Sequence, residues 1–219
     1  MTATLSEPRR VIGALAADPR RPGTIRVLVQ GRPLLSVPRE VAQAEGLAAG
    51  MLLEEPLYAR LCRAADEEAA FRTALRFLER RPFATRDLTR RLVLKGHPPE
   101  AAAAAVERAG RAGLVDDARF ALHYLETRAA RGRGPLRLRR DLATLGVERL
   151  LVDRALRAAF GADGAGGPSA EAVARKRLAQ LTGLPKPVIR RRLLAFLARR
   201  GFAGPDVSTT VAGLLDRRA

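Results

Sequence analysis

Five arginines surround one predicted helix start in the second half of the chain. The helix begins at Gly134-Pro135, because proline fits the first turn of a helix, where a missing N–H costs nothing. The first-turn N–H groups and the positive end of the helix dipole attract anions. We therefore expect these arginines to contact DNA phosphates or an acidic protein groove; the alternative is that they form a solvated surface. They are Arg131, Arg133, Arg137, Arg139 and Arg140.

A second arginine cluster follows in the last third of the chain. Ile189, Leu193 and Leu197, together with Phe196, recur at helical spacing and predict a buried stripe. Residues 165–219 hold 11 Lys and Arg against three Asp and Glu. This excess destabilises the region by self-repulsion unless an anionic partner is met. The expected partner contacts are the three arginines that lie off the stripe: Arg190, Arg191 and Arg192.

One acidic pair precedes an apolar-periodic run. Adjacent residues on a helix do not face one another, and no partner base is visible, which disfavours acid–base catalysis by Asp116 and Asp117. We expect Asp116 to cap the helix and Asp117 to favour the positive end of its dipole. Phe120 and Tyr124 are four residues apart, which indicates core packing, with base stacking as the alternative. Arg128 continues that row and could reach a helix-end carboxylate or an acidic partner.

The composition indicates a polyanionic partner. The 219 residues carry 40 Lys and Arg against 23 Asp and Glu, a formal charge of +17. Apolar residues make up 47%, enough for a sizeable core, so a wholly disordered basic tail is excluded. Aromatic residues make up 4% and Trp is absent, which argues against modules that stack bases on aromatic platforms.

Residues that carry enzymatic or metal chemistry are scarce. Cys62 is the single cysteine, and His97 and His123 are the two histidines, which leaves no disulfide framework or multi-cysteine zinc site. No phosphate-binding loop, dinucleotide fingerprint or zinc-protease motif occurs, so we expect neither an enzyme nor a cofactor. No apolar run reaches about 18 residues and no secretory signal begins the chain. We therefore expect a cytoplasmic protein with no membrane partner.

A recurring phrase organises the chain from residue 56 onward. Leu-x3-Leu-x3-Gly ends at Gly96, Gly146 and Gly201, with spacings of 50 and 55 residues. A helix precedes and another follows each phrase, which predicts nine helices in three units that form an elongated array. Each glycine is expected to end its helix in the left-handed conformation. The predicted repeats are residues 56–117, 118–164 and 165–219.

The preceding residues predict a small β-containing module at 24–55. Residues 24–30 alternate as a strand, Gly31 marks a turn, and residues 33–37 return as a second strand. A short helix follows through Ala44, and residues 51–53 could add a third strand. Such a module needs packing against the helices that follow. Residues 1–23 lack periodicity and are expected to be a flexible segment.

The middle of the chain carries motifs that resemble the RecX family of recombinase regulators. The motifs are GLVDDARFALHYLETR at 113–128, GRGPLRLRRDL at 132–142 and LGV at 145–147. An upstream phrase, from Ala74 to Gly96, is similar to the first repeat of the same family, and the third repeat is recognisable by period. The motif residues expected to be structural are Asp116, Asp117, Phe120, Ala121, Tyr124 and Gly146.

The resemblance implies a fold of three tandem three-helix units behind a small segment with strands. It also implies a non-enzymatic regulator that lies in the groove of the RecA–DNA filament, and we expect it to be a monomer. Such a protein suppresses the strand exchange, ATPase and coprotease activities of RecA, and so regulates DNA repair, recombination and the SOS response. Single-stranded or duplex DNA is a further expected contact. The alternative from composition alone is a basic helical nucleoid or architectural DNA-binding protein.

Overall fold

A computed structural model of the chain describes residues 10–161 and 169–217. Contacts divide these residues into two compact units, residues 10–81 with 88–114, and residues 82–87 with 115–161 and 169–217. The first unit holds a small sheet and the helices of the first predicted repeat. The second unit holds the other two repeats and a short segment, residues 82–87.

The first unit opens with a three-stranded antiparallel sheet in the order β1-β2-β3. Gln30 and Gly31 both have positive φ in the tight turn between the second and third strands, which confirms the predicted turn. Val27 pairs with Leu35 across that hairpin and with Leu15 on the other side. The strands are β1 (Ile12–Ala17), β2 (Thr24–Val29) and β3 (Arg32–Pro38).

Strand β1 corrects the prediction that the first 23 residues are a flexible segment. The segment IGALAA buries only Ile12 completely, and its small residues have weak strand propensity, so no apolar alternation marks it. Its backbone pairs with β2, and a single bridge joins Val11 to Leu52. The possible third strand at residues 51–53 is therefore one bridge rather than a strand. Residues 1–9 of the predicted flexible segment lie outside the described residues.

The sheet packs on the helix that follows it. Ile12, Val27 and Val37 form one apolar cluster with Leu53 and Leu61, of which Leu61 belongs to a 24-residue helix. The small module thus completes its core with that helix, as its size requires. The helices of this part are α1 (Arg39–Ala44), α2 (Glu55–Leu78), α3 (Thr85–Leu94) and α4 (Pro99–Arg111); α3 begins in the second unit and ends in the first.

The second unit contains two three-helix repeats. Leu138 and Leu142 of the first of these, and Leu193 and Leu197 of the second, are fully buried, as the recurring phrase predicts. With α2, α3 and α4, the described part of the chain has the nine predicted repeat helices. The six helices are α5 (Asp117–Ala129), α6 (Pro135–Thr144), α7 (Arg149–Phe160), α8 (Ala170–Leu178), α9 (Lys186–Arg200) and α10 (Pro205–Asp216). The predicted linker at 161–168 lies, beyond Gly161, outside the described residues.

The end of α9 abuts the start of α6, and this α6–α9 joint connects the last two repeats. The amide N–H of Gly134 donates to the carbonyl of Arg200 at 2.8 Å, and that of Leu136 donates to the carbonyl of Gly201 at 3.2 Å. A Cβ on Gly201 would meet the backbone and Cβ of Arg137 at under 3 Å. Only glycine permits this approach, because it has no side chain.

A second close approach of two helix ends lies at the start of α3, and we call it the α3–α6 joint. The end of α6 packs there, and a Cβ on Gly146 would lie 2.5 Å from the Cβ of Arg86. The carboxylate of Asp117 accepts the N–H of Thr85 at 2.7 Å, which caps the same end of α3. Gly96, the first glycine of the series, has no atom within 4 Å of its would-be Cβ. The glycine of the repeated motif therefore ends a helix in all three repeats, but it packs against the start of another helix only at Gly146 and Gly201.

Alanine substitutions at the three glycines distinguish the role of ending a helix from the role of allowing close contact with a second helix. Gly96, Gly146 and Gly201 all have positive φ, so alanine costs about 1–2 kcal/mol at each. At Gly146 and Gly201 the new Cβ also overlaps the neighbouring helix, which adds about 1–3 kcal/mol. We expect urea denaturation to rank G201A and G146A well below G96A in stability. Equal losses at all three positions would contradict the joints.

A buried carboxylate holds the turn between β1 and β2. Asp18 accepts the N–H of Arg20 at 3.0 Å, the hydroxyl of Ser36 at 2.9 Å and the guanidinium of Arg26 at 2.9 Å. These hydrogen bonds, first among them the backbone one, hold the pKa of Asp18 below its ordinary value of 3.8. The folded form therefore favours the charged carboxylate.

The lowered pKa of Asp18 makes the stability of the sheet depend on pH. Its contribution is complete above the unfolded-state pKa of 3.8 and is lost as pH falls through the lower folded-state pKa. We expect Asp18→Asn to lower the urea midpoint at neutral pH and to flatten the loss of stability below pH 4 relative to the unsubstituted chain. A variant with the same acid dependence as the parent would show that Asp18 does not supply it.

Candidate polyanion interface

The α6–α9 joint changes the expectation for the arginine-rich helix start. The N–H groups of Gly134 and Leu136 are already bonded to the carbonyls of Arg200 and Gly201. The negative end of α9 thus occupies the positive end of α6. The prediction that this helix start binds an external anion through its backbone is wrong, because another helix fills the position. Any anion must be met by side chains around the joint.

Asp141 draws two of the predicted contact arginines together. Its carboxylate accepts Arg133 at 2.7 Å and Arg137 at 2.9 Å, and the Tyr124 hydroxyl lies 3.4 Å away. Arg137 also packs its backbone against Gly201. Arg133 thereby ties the α5–α6 turn to α6, whereas Arg137 is exposed but has its charge partly compensated by an ion pair within α6.

Arg139 is paired as well. Its guanidinium lies 3.1 Å from Asp153 of α7, which Arg149 also approaches at 3.6 Å. A salt bridge between half-exposed side chains contributes about 0–1 kcal/mol, so a stronger polyanion could compete for Arg139. In the free chain, however, Arg133, Arg137 and Arg139 all have carboxylate partners.

The remaining predicted arginines have none among the described residues. The guanidinium of Arg128 lies 5.3 Å from the centre of the Tyr124 ring, a cation–π arrangement. The other five are exposed in full or in large part, and within residues 10–161 and 169–217 no carboxylate lies within 4 Å of them. They are Arg131, Arg140, Arg190, Arg191 and Arg192.

Two clefts flank the α6–α9 joint, and neither has an acidic residue in its lining. The first, of about 480 Å³, lies between the α5–α6 turn, α8 and α9 and carries Arg131, Lys176, Arg177 and Arg200. The second, of about 500 Å³, lies where α6 meets α9, and its residues include Leu136, Arg140 and Arg199. We call these the α8 cleft and the α6 cleft. With Arg137, which also lines the α6 cleft and pairs with Asp141, the described residues place seven cations around one joint.

A cavity in the first unit provides a comparison. It measures about 680 Å³ and contains Arg20, Arg21, Arg72 and Arg76, but also Glu68 and Glu79. Glu68 pairs with Arg108 at 2.8 Å and lies 3.9 Å from Arg72. Its charges are therefore partly compensated within the protein. The two clefts at the α6–α9 joint lack such compensation, which favours them as the polyanion interface.

Sequence reasoning did not place Lys176, Arg177, Arg199 and Arg200 at the site. Arg199 and Arg200 lie in the last turn of α9, where their charge complements the negative end of the helix dipole. Arg192 and Arg199 are seven residues apart, close to two helical turns, so they share one face of α9. That spacing is a signal that the sequence does carry. The position of α8 beside α9 is a tertiary contact without a local signal.

The motif residues lie at a helix cap, in the core and at a helix contact. The Asp116 side chain accepts the N–H of Arg119 at 3.0 Å, which confirms the predicted cap of α5. Phe120 and Ala121 are buried in the core of the first repeat of the second unit, and the Phe120 ring lies 5.9 Å from that of Tyr124. Asp117 and Gly146 belong to the α3–α6 joint.

The described residues contain neither a metal-binding cluster nor a membrane-spanning helix. Among residues 10–161 and 169–217, no group of three or more His, Cys, Asp or Glu side chains is placed to hold a metal ion. Within the same residues, no helix combines the length and the apolar character needed to span a membrane.

Family models of three helical domains match this chain in tandem. The first three-helix domain of RecX matches residues 70–108, the second matches 116–156 and the third matches 169–210. Together they cover more than half of the chain, and each matches the helices of one repeat. The third repeat, recognised in the sequence by its period, is therefore matched in its own right.

Curated proteins and solved structures agree with these matches. Regulatory protein RecX of Xanthomonas axonopodis pv. citri is 38% identical over 143 residues, which is 64% of this chain and 85% of that protein. The protein of the same name from Stenotrophomonas maltophilia is 37% identical over 142 residues, with 64% and 84% coverage.

The structural likenesses extend further along the chain. A crystal structure of regulatory protein RecX superposes with a TM-score of 0.72 at 20% identity, covering 95% of this chain and 99% of that one. RecX from Lactobacillus salivarius gives a TM-score of 0.57 at 16% identity, with 69% and 97% coverage. At these identities the likeness concerns the fold.

Tyr124 reports on the charge of Asp141. Burial raises the pKa of the Tyr124 phenol above its ordinary value of 10.0, and the nearby Asp141 carboxylate is the next largest cause of the rise. The chain has two tyrosines, so Tyr58→Phe leaves Tyr124 as the only phenol. We expect absorbance titration of Y58F to give a raised pKa, and Y58F/D141N to give a lower pKa than Y58F. An unchanged pKa would contradict the placement of Asp141 beside Tyr124.

Proposed function

The chain belongs to the RecX family, and from that premise we propose that it regulates the RecA recombinase by binding the RecA filament on single-stranded DNA. Binding inhibits the ATPase, strand exchange and coprotease activities of RecA, and thereby restrains DNA repair, recombination and the SOS response. The protein acts as a cytoplasmic monomer, without enzymatic activity or a cofactor. It lies along the filament groove and contacts DNA phosphates or acidic residues of RecA.

The observation that carries this proposal is the uncompensated charge around the α6–α9 joint. Two clefts without acidic lining open on either side of a rigid connection between two repeats. Like charges held close together repel one another, so the free protein is stabilised when a polyanion approaches. A filament of protein and nucleic acid supplies a repeating array of negative charge to such a surface.

The proposed contacts divide into two groups. Arginines without a carboxylate partner in the described part of the chain meet the filament directly. Arginines held by Asp141 or Asp153 fix α6, and contribute positive potential from a set position. The direct contacts are Arg128, Arg131, Arg140, Arg190, Arg191, Arg192 and Arg199; the held arginines are Arg133, Arg137 and Arg139.

A triple substitution tests this surface. Arg131, Arg140 and Arg199 lie at the two clefts and have no ion-pair partner among residues 10–161 and 169–217. Their loss in R131S/R140S/R199S removes three exposed contacts worth about 0.5–1 kcal/mol each. In a RecA ATPase assay on single-stranded DNA, we expect the half-inhibitory concentration to rise by about tenfold to a hundredfold.

A matched control removes the same charge elsewhere. Arg63, Arg80 and Arg154 are exposed and lie outside the clefts. R63S/R80S/R154S should fold as the parent does and stay within about threefold of its inhibition, the change expected from net charge alone. Equal loss in both triple variants would make the effect one of overall charge and would contradict a defined surface.

The binding target separates this proposal from a plain DNA-binding role. An architectural DNA-binding protein needs duplex alone, and its affinity falls steeply with salt. We expect full-strength binding only to RecA assembled with nucleotide on single-stranded DNA. Equal affinity for bare duplex, with no effect on the RecA ATPase, would replace the regulator with the nucleoid alternative.

A further inference from the structure

The α8 cleft combines features that a face for a filament does not require. Its walls come from three segments of the second unit: the α5–α6 turn, α8 and α9. Val173 and Phe196 are half-buried and supply an apolar floor. At about 480 Å³ the cleft has the size of a small-ligand site, for which the range is about 300–1,000 Å³.

Cations and one amide surround that floor. Arg200 donates to the carbonyl of Arg131 at 3.0 Å, and its guanidinium lies 5.1 Å from the centre of the Phe196 ring. Arg177 lies 5.6 Å from the same ring and donates to the Oε1 atom of Gln180 at 2.7 Å. Because Oε1 accepts this bond, the two amide hydrogens of Gln180 remain available as donors.

Two further cations of the α8 cleft contact neither the Phe196 ring nor a hydrogen-bond acceptor among the described residues. Among the described residues, the side chains of Arg131 and Lys176 have no ion-pair or hydrogen-bond partner, and both line the cleft. Glu171, the acidic residue of α8, is turned to Arg175 and Arg217 instead, at 2.7 and 3.0 Å. The cleft therefore has two cations fixed on an aromatic ring and two that are free to meet an anion.

We propose that the α8 cleft binds a nucleotide, with its phosphates against Arg131 and Lys176 and its base on the floor formed by Phe196 and Val173. Gln180 donates to an acceptor on the edge of the base. A ligand of this kind uses the apolar floor and the cations together, whereas a bare phosphate uses only the cations. An acidic peptide would meet the charge, but its carboxylate side chains have no aromatic ring to stack on the floor.

Two sources could supply such a ligand, a free nucleotide or one unit of a single strand. Titration calorimetry of the full chain alone, without RecA, distinguishes them with ADP, a 5′-phosphorylated tetranucleotide of single-stranded DNA, and inorganic pyrophosphate as probes. We expect ADP to bind with one-to-one stoichiometry and at least tenfold more tightly than pyrophosphate. Binding of the tetranucleotide in its place, at the same residues, assigns the site to a strand.

Substitutions locate the binding. Lys176→Gln removes a charged hydrogen-bond donor and should weaken nucleotide binding by about tenfold. Phe196→Leu should weaken nucleotide by about tenfold and leave pyrophosphate unchanged. The control Arg154→Gln removes the same charge from α7, outside the cleft, and should bind nucleotide as the parent does. Thermal melting checks folding, and Lys176, being exposed, keeps the test valid if F196L unfolds.

Three outcomes overturn the proposal. They are no binding of either nucleotide probe, equal binding of ADP and pyrophosphate, or nucleotide binding that is unchanged in K176Q. A glutamate-rich peptide that binds with K176Q sensitivity while ADP does not would assign the cleft to acidic protein instead. Because RecA is absent and Lys176 and Phe196 are not in the triple variant above, failure here leaves the proposed function standing.

Discussion

The end-to-end contact of α9 with α6 is the constraint on which the second unit depends. Two backbone N–H groups at the start of α6 are satisfied by the last carbonyls of α9, and the opposed dipole ends attract each other. This geometry leaves no room for a Cβ at Gly201 or at Gly134. Gly146 likewise approaches the start of α3 so closely that a Cβ would overlap Arg86. A glycine that ends a helix thus also sets how closely the next helix can approach it.

The α6–α9 joint also determines which positive groups of the second unit are free to contact an anion. It fills the anion-binding end of α6 with backbone carbonyls, so an external anion meets side chains only. Asp141 then holds Arg133 and Arg137 against α6, while Arg200 turns back to the carbonyl of Arg131. What remains around the joint is a set of cations without acidic neighbours in the described residues. The arginines that hold α6 and some of those proposed to bind the partner thus come from one short segment, residues 128–140.

Local patterns predicted the helices, the β2–β3 turn, the cap by Asp116 and the positive φ of the repeat glycines, because each depends on residues within a few positions. The motif resemblance predicted the family. Strand β1 was missed since its pairing with β2, rather than apolar alternation, defines it. The pairing of Arg139 with Asp153, and the neighbourhood of α8 and α9, depend on tertiary contacts, which a single sequence does not carry. The same reason explains why the helix start at Pro135 was read as an open anion site.

The central claim is that the surface around the α6–α9 joint is where this protein meets its partner. Amide hydrogen exchange of the full chain, free and bound to the RecA filament on single-stranded DNA, tests it most directly. The account predicts new protection in residues 130–140 and 172–203, and little change in residues 70–111 of the first unit. Protection confined to residues 10–111, with the joint region exchanging as in the free chain, would contradict it.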